Sequence, residues 1–139
     1  MGTIKLKYDI SANDFVAAGE ASSNVKNKLT QIGISSDIIK KAAISMYEAE
    51  INAVIHGNGG YAYVEISSDK VVINIVDFGP GIPDVDLAMK EGYSTAPDTV
   101  REMGFGAGMG LPNMKKYADK LEIDTEVGKG TRIIITVNF

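Results

Sequence analysis

The chain has 139 residues, 45% apolar and 23% charged, with a formal net charge of −4 and an isoelectric point near 4.9. That profile fits one globular domain with a real core and excludes a disordered chain. The acidic balance argues against a nucleic-acid surface, which needs clustered Lys and Arg, and the lack of cysteine removes disulfides and thiolate nucleophiles. The N-terminal residues lack the apolar run of a signal peptide and no stretch is long enough to span a bilayer, so a cytoplasmic protein that contacts neither membrane nor nucleic acid is expected.

Residues 3–10 alternate apolar and polar with a period of two, as a half-exposed edge strand does. Ser11 to Asp14 offers capping residues, and Phe15, Ala18, Val25, Leu29 and Ile32 recur at helical spacing until Gly33, which predicts a first helix. Ser35, Ser36 and Asp37 can cap a second and longest helix, from about Asp37 to His56, with neither Gly nor Pro inside it.

At about 100° per residue, Lys41, Ser45, Glu48 and Asn52 of that helix share one narrow sector beside an apolar face. Glu48 and Asn52, four apart, present a carboxylate and an amide oxygen to one small volume. This suits a base paired with a hard-cation ligand, or equally a solvated stripe. Glu50 points the opposite way and is expected at the rim or on a partner. His56, the sole histidine, precedes Gly57 and reads first as a helix cap.

Residues 61–67 and 70–76 form a predicted hairpin turning at Ser68-Asp69. The second strand ends abruptly in Asp77-Phe-Gly-Pro-Gly-Ile-Pro-Asp84. Gly79 and Gly81 permit positive φ and a bare backbone surface, and Pro80 and Pro83 stop the strand. An ionised Asp77 accepts hydrogen bonds only, which suits an exocyclic amine; a turn aspartate is the plainer alternative.

Residues 86–91 are long enough for a short helix, and Gly92 to Gly110 carries five glycines without apolar period, the length of a functional lid or of disorder. Gly104-Phe-Gly-Ala-Gly-Met-Gly110 leads into a helix opening with Leu111-Pro112. Glycines before a helix N-terminus expose N–H groups that hold phosphate, or else form a linker. It is neither a Walker A loop nor the dinucleotide-binding pattern. Two closing strands, 121–125 and 131–139, flank the loop 126–130.

Glu48-Ala-Glu-Ile-Asn52 on a helix, Asp77-Phe-Gly-Pro-Gly81 after a strand and Gly106-Ala-Gly-Met-Gly110 before a helix, with Gly128-Lys-Gly-Thr131 near the end, resemble in order and spacing the N, G1 and G2 boxes of the GHKL ATPase superfamily. The resemblance covers about residue 37 to the C-terminus and is greatest to the anti-sigma-factor serine protein kinases. It implies the Bergerat fold, an α/β two-layer sandwich of α+β type whose mixed, mostly antiparallel sheet carries helices on one face. The whole of 1–139 would be one such domain, with an ATP lid at about 85–110.

By the same resemblance, Glu48 is the general base and Asn52 the Mg²⁺ ligand. Asp77 and Thr131 hold adenine, Gly79, Gly81 and Ile82 line the base, and Gly106, Gly108, Met109, Gly110 and Leu111 cradle the phosphates of ATP. Arg101 and Lys115 rank behind them. The implied partner is an anti-sigma-antagonist-like protein phosphorylated on serine, with a sigma factor as an optional second partner and a homodimer as an option. A nucleotide-gated binding module without turnover is the alternative. The catalytic domain of a histidine kinase fares worse, since the one histidine lies in the nucleotide-site helix.

Overall fold

A computed structural model describes residues 3–14, 16–56, 58–82, 84–90 and 110–139. The elements run β1 (Ile4–Ile10), α1 (Glu20–Gln31), α2 (Ser36–Ile55), β2 (Gly60–Ile66), β3 (Lys70–Asp77), α3 (Val85–Ala88), α4 (Gly110–Tyr117), β4 (Lys120–Glu126) and β5 (Gly130–Asn138). The five strands form one sheet in the order β1-β2-β3-β5-β4, and all four described pairings are antiparallel. β1 lies at an edge, as its alternation indicates.

Strand alternation decides which face is covered. Leu6, Val64, Ile73 and Ile135 lie in one cross-strand row, and Val71 and Val137 extend the same face; from Val64 onward these are fully buried. β-branched side chains suit this pleated surface, and each fully buried one contributes roughly 1.5–3 kcal/mol. α2 packs across this face through Ala42, Met46, Ala49 and Ala53; the three alanines let the helix approach β3 and β5, and Met46 fills the core between them. α1 and α4 flank α2 on the same layer, so the helices lie on one side of the sheet. No described helix is long and apolar enough to cross a membrane.

The first helix starts later than its periodicity implies. Asp14 Oδ1 accepts from Ala17 N–H at 3.1 Å and closes a turn, and Gly19, at φ +96°, interrupts the chain before Glu20. Phe15 lies outside the described residues. The α1 N-terminus is capped from a distance by Glu50, which accepts from the N–H groups of Gly19, Ala21 and Ser22 at 3.0, 3.2 and 3.0 Å. Glu50 is 3% exposed, so its expected place at a rim or on a partner is corrected: it is an internal cap. An anion facing three helix-initiating N–H groups is stabilised by both hydrogen bonding and the helix dipole.

α2 starts one residue earlier than expected, after Ser35, and His56 is its C-cap residue. The hairpin falls where expected. α3 is limited to one turn, capped by Asp84 Oδ1 accepting from Leu87 N–H at 3.0 Å. Most of the predicted lid, 91–109, lies outside the described residues.

Candidate functional site

α2 supplies the axis of the site. Glu48, Asn52 and His56 follow one another at intervals of four, which stacks them along one side of the helix over about 12 Å. The N-terminal turns of α4 lie across this stripe. Asn113 Nδ2 donates to Glu48 Oε1 at a long 3.4 Å, and a Cβ on Gly110 would stand 3.2 Å from both Asn52 amide atoms. A side chain at 110 would press on the Asn52 amide, so the glycine eases the close crossing of the two elements. Its neighbours Leu111 and Met114 bury their side chains and anchor α4, which leaves Leu111 only its backbone to offer a ligand.

Glu48 is half-buried, and burial pushes its carboxyl above the ordinary glutamate range, with Asn113 acting weakly in the opposite direction. From solvent it is reached along a groove of about 830 Å³ between α1 and α2, walled by Gly19, Lys26, Ile44 and Tyr47. This groove meets Glu48 from the N-terminal half of α2, whereas Asp77 adjoins the C-terminal end.

Asp77 closes β3 on the helix-facing side of the sheet. Burial lifts its carboxyl above the ordinary aspartate range, while the N–H groups of Gly79 and Thr131 and the charge of His56 lower it. Gly79 donates to Asp77 Oδ1 at 3.0 Å. Burial likewise holds His56 below the ordinary histidine range, with Asp77 pulling it upward. His56 is thus more than a cap: it lies close enough to Asp77 for each to shift the other's titration, a proximity that no local pattern shows.

Thr131 pairs with Asp77 across β3 and β5, and with Thr125 across β5 and β4, so Asp77, Thr131 and Thr125 form one row on the helix-facing side. Ile82 N–H donates to Thr125 Oγ1 at 2.8 Å, and Thr125 and Thr131 hydroxyls lie 2.9 Å apart. Gly81 adopts φ +81°, and a Cβ there would come within 2.5 Å of Glu126 O, so the glycine is dictated by the β4–β5 hairpin. Gly79 does not use the left-handed region expected for it.

The structure therefore brings Glu48, Asn52 and Gly110 together at one end and Asp77, Gly79, Ile82 and Thr131 together at the other, with His56, the next residue of the α2 stripe, near Asp77. Gly106, Gly108, Met109 and Arg101 lie outside the described residues, and Lys115 is exposed on α4. Two neighbours escaped the sequence reading. Asn113 sits in the first turn after the glycine run, and Thr125 is a hydroxyl at an inward position where Leu121 and Ile123 set an apolar alternation.

A two-layer domain with a helix-borne Glu/Asn pair at one end and a strand-end aspartate at the other defines a class. The sequence pattern of the histidine kinase-, DNA gyrase B-, and HSP90-like ATPases matches residues 38–139. The chain belongs to this ATPase family, the GHKL superfamily, and within it to the anti-sigma-factor kinase-like branch. It is 34% identical over 117 residues to an anti-sigma F factor of Clostridium beijerinckii, covering 80% of this chain and 78% of the relative. An anti-sigma F factor of Clostridium acetobutylicum is 36% identical over 104 residues, 71% and 68% of the two chains. A crystal structure of the RsbU and RsbW domains of a Mycobacterium tuberculosis protein shares the fold, with a TM-score of 0.58 at 15% identity; the match covers all of this chain and 33% of that one.

Proposed function

We propose that the chain is an ATP-dependent protein-serine kinase of the anti-sigma-factor type, transferring the γ-phosphate of ATP to a serine of a partner regulatory protein. The name of its relatives, anti-sigma F factor, supports a sigma factor as one partner; the reading adds an antagonist-like protein as acceptor and a nucleotide-dependent hold on the sigma factor. The observation that carries the reading is Glu48, a carboxylate with a raised pKa, one helical turn from Asn52 and open to solvent along a groove between two helices. A base with its pKa moved toward neutrality suits proton abstraction from a hydroxyl, and the groove admits a protein segment to it.

The acceptor hydroxyl oxygen bonds to the γ-phosphorus, the bond to the β–γ bridging oxygen breaks, and Glu48 takes the hydroxyl proton as ADP leaves. Asp77 accepts from the adenine amine, and the N-terminus of α4 at Gly110 receives the phosphates. The donor set fits Mg²⁺ held by the Asn52 amide oxygen with phosphate and water completing its shell, since such ions take few protein ligands beside a nucleotide. Bound there, Mg²⁺ would neutralise phosphate charge.

A homodimer through the exposed sides of β1 and α1 belongs to the same reading and is checked by sedimentation. The central experiment compares Glu48→Gln with the wild type for Mg·ATP binding and phosphate transfer to the acceptor protein. Binding within a few-fold and a loss of transfer of about 10²–10⁴-fold are expected. Equal transfer would remove Glu48 from the base role, and a wild type that binds ATP without transferring it would make the chain a nucleotide-gated binding module.

A further inference from the structure

The groove that leads to Glu48 is charged unevenly along its length. The start of α1 lies beside Tyr47 and Glu50, late in α2, and only residues 32–35 link the two helices, so they run antiparallel. Among the described lining residues three carry charge. Glu20 and Glu48 stand at the Tyr47 end, and Lys26, about 9 Å further along α1, stands toward Ile44. Tyr47, 38% exposed, is the largest side chain of the groove, and one side of its ring is braced. A Cβ on Gly19 would stand 3.1 and 3.4 Å from Tyr47 Cε1 and Cδ1, and the Gly19 N–H is itself held by Glu50 at 3.0 Å. The glycine therefore seats the ring. Burial first, then the charges of Glu48 and Glu50, hold the Tyr47 hydroxyl above the ordinary tyrosine range. Carboxylates that disfavour a phenolate favour a cation in the same place, and the negative face of the ring adds to that attraction.

We infer that Tyr47 is a specificity-determining residue of the acceptor groove: its open ring face takes a basic side chain next to the acceptor serine, and Lys26 takes an acidic one farther along the same segment. The inference rests on the kinase reading given above, in which the serine meets Glu48. Glu20 pairs with the bound cation from the α1 side. In an extended segment each residue advances about 3.3 Å, so the distance of about 9 Å between Glu20 and Lys26 spans three residues. The acceptor is then a serine beside Arg or Lys, with Asp or Glu three positions beyond the basic residue. Arg is preferred to Lys, since a planar guanidinium stacks on an aromatic ring. The opposite order of charge would set an acid against Glu20 and Glu48 and a base against Lys26, so the groove selects the direction as well as the kind of charge.

The test is the binding of four fluorescent peptides to the full chain with Mg·ADP, which reads the groove without turnover. Two carry the expected order in a neutral frame, Ser-Arg-Ala-Ala-Asp and its reverse Asp-Ala-Ala-Arg-Ser. The other two, Ser-Asp-Ala-Ala-Arg and Arg-Ala-Ala-Asp-Ser, have the charges exchanged. One of the first two should bind about tenfold more tightly than its exchanged counterpart, the summed worth of a stacked cation and exposed charge pairs. Tyr47→Leu, which keeps the groove apolar, should cut that preference to about threefold, and Tyr47→Phe should retain it, with thermal unfolding recorded for each. Reversing both wall charges, Glu20→Lys with Lys26→Glu, should abolish or invert the preference. If Tyr47→Leu does not fold, this reversal, confined to exposed side chains, carries the test. Equal affinity of the wild type for both orders of charge, binding of no peptide, or a full preference in Tyr47→Leu overturns the inference. Peptides that bind in the expected order, yet accept no phosphate once Mg·ATP replaces Mg·ADP, overturn the kinase reading and leave the groove's preference standing.

Discussion

The two acidic sides of α2 treat the same functional group in opposite ways. Glu50 is buried against α1 and its two oxygens accept three backbone N–H groups at 3.0–3.2 Å. Glu48, two residues earlier, faces α4, remains half-buried and, among the described residues, has one side-chain hydrogen bond, a long 3.4 Å, from Asn113. The carboxylate with more partners is the structural one. The other has a single long hydrogen bond among the described residues and carries a raised pKa, because burial disfavours its charged form. Among the described residues, hydrogen-bond satisfaction, more than burial, separates the two carboxylates on this helix.

The widest separation should come from removing Glu50. Glu50→Ala orphans three N–H groups at the start of α1 and should cost about 3–5 kcal/mol, since hydrogen bonds to charged groups are worth more than neutral ones and the donors stay buried. Denaturant unfolding measures it, and a loss below about 1 kcal/mol would mean that α1 is held by its packing alone. Glu48→Gln should behave oppositely, losing transfer while gaining stability. The folded state binds the Glu48 proton more tightly than the unfolded chain, so wild-type stability falls as pH rises from the ordinary glutamate range through the raised folded value. The Gln variant escapes that penalty. Its Tm at pH 7 should exceed the wild type's by at most about 2 °C, because solvent screens a half-exposed group, and the gap should close in acid below the ordinary range. A Tm for Glu48→Gln below the wild type's at neutral pH would contradict the strained-carboxylate account.

That contrast also marks where the sequence was legible. Strands, their turns and the extent of α2 follow from local alternation and capping, and the Glu48–Asn52 stack from helical spacing. Glu50 was misplaced because its partners lie 28–31 residues away, where helical arithmetic gives a direction without saying what fills it. The start of α1 failed for the same reason. Its cap comes from α2, and the turn before it mimics helical spacing through Ala18 while Gly19 breaks the helix at φ +96°. At the base end, Asp77 and Thr131 were readable as motif residues, but Thr125 and His56 acquire their neighbours only from sheet register and helix placement. Gly81 was readable as a glycine, yet the backbone it makes room for is that of the β4–β5 hairpin.

Asn113→Ala sharpens the comparison by removing the one side-chain hydrogen bond that Glu48 has among the described residues. Because Asn113 lowers the Glu48 pKa, its loss should raise that value further and move the acid limb of the transfer rate toward higher pH. The rate near neutrality should fall by roughly threefold, the worth of a weak hydrogen bond, while ATP affinity stays within a factor of two. A pH–rate profile of the acceptor reaction reads it, and an unmoved acid limb would place the rate-determining proton elsewhere.

The smallest effect concerns Ser45, on the same stripe as Glu48 and one turn before it. Its hydroxyl is fully buried and, among the described residues, finds no hydrogen-bond partner. A buried hydroxyl without a partner costs folding energy, and a helix interior favours Ala over Ser. Ser45→Ala should therefore be neutral or stabilising by up to about 1 kcal/mol in denaturant unfolding. Phosphate transfer by this variant is the more telling measurement. Unchanged transfer leaves the stripe divided between a passive packing residue and the Glu48–Asn52 pair. Should transfer fall tenfold or more while stability rises, Ser45 would join Glu48 as a group kept under-satisfied for use, and the reactive side of α2 would extend a full turn toward its N-terminus.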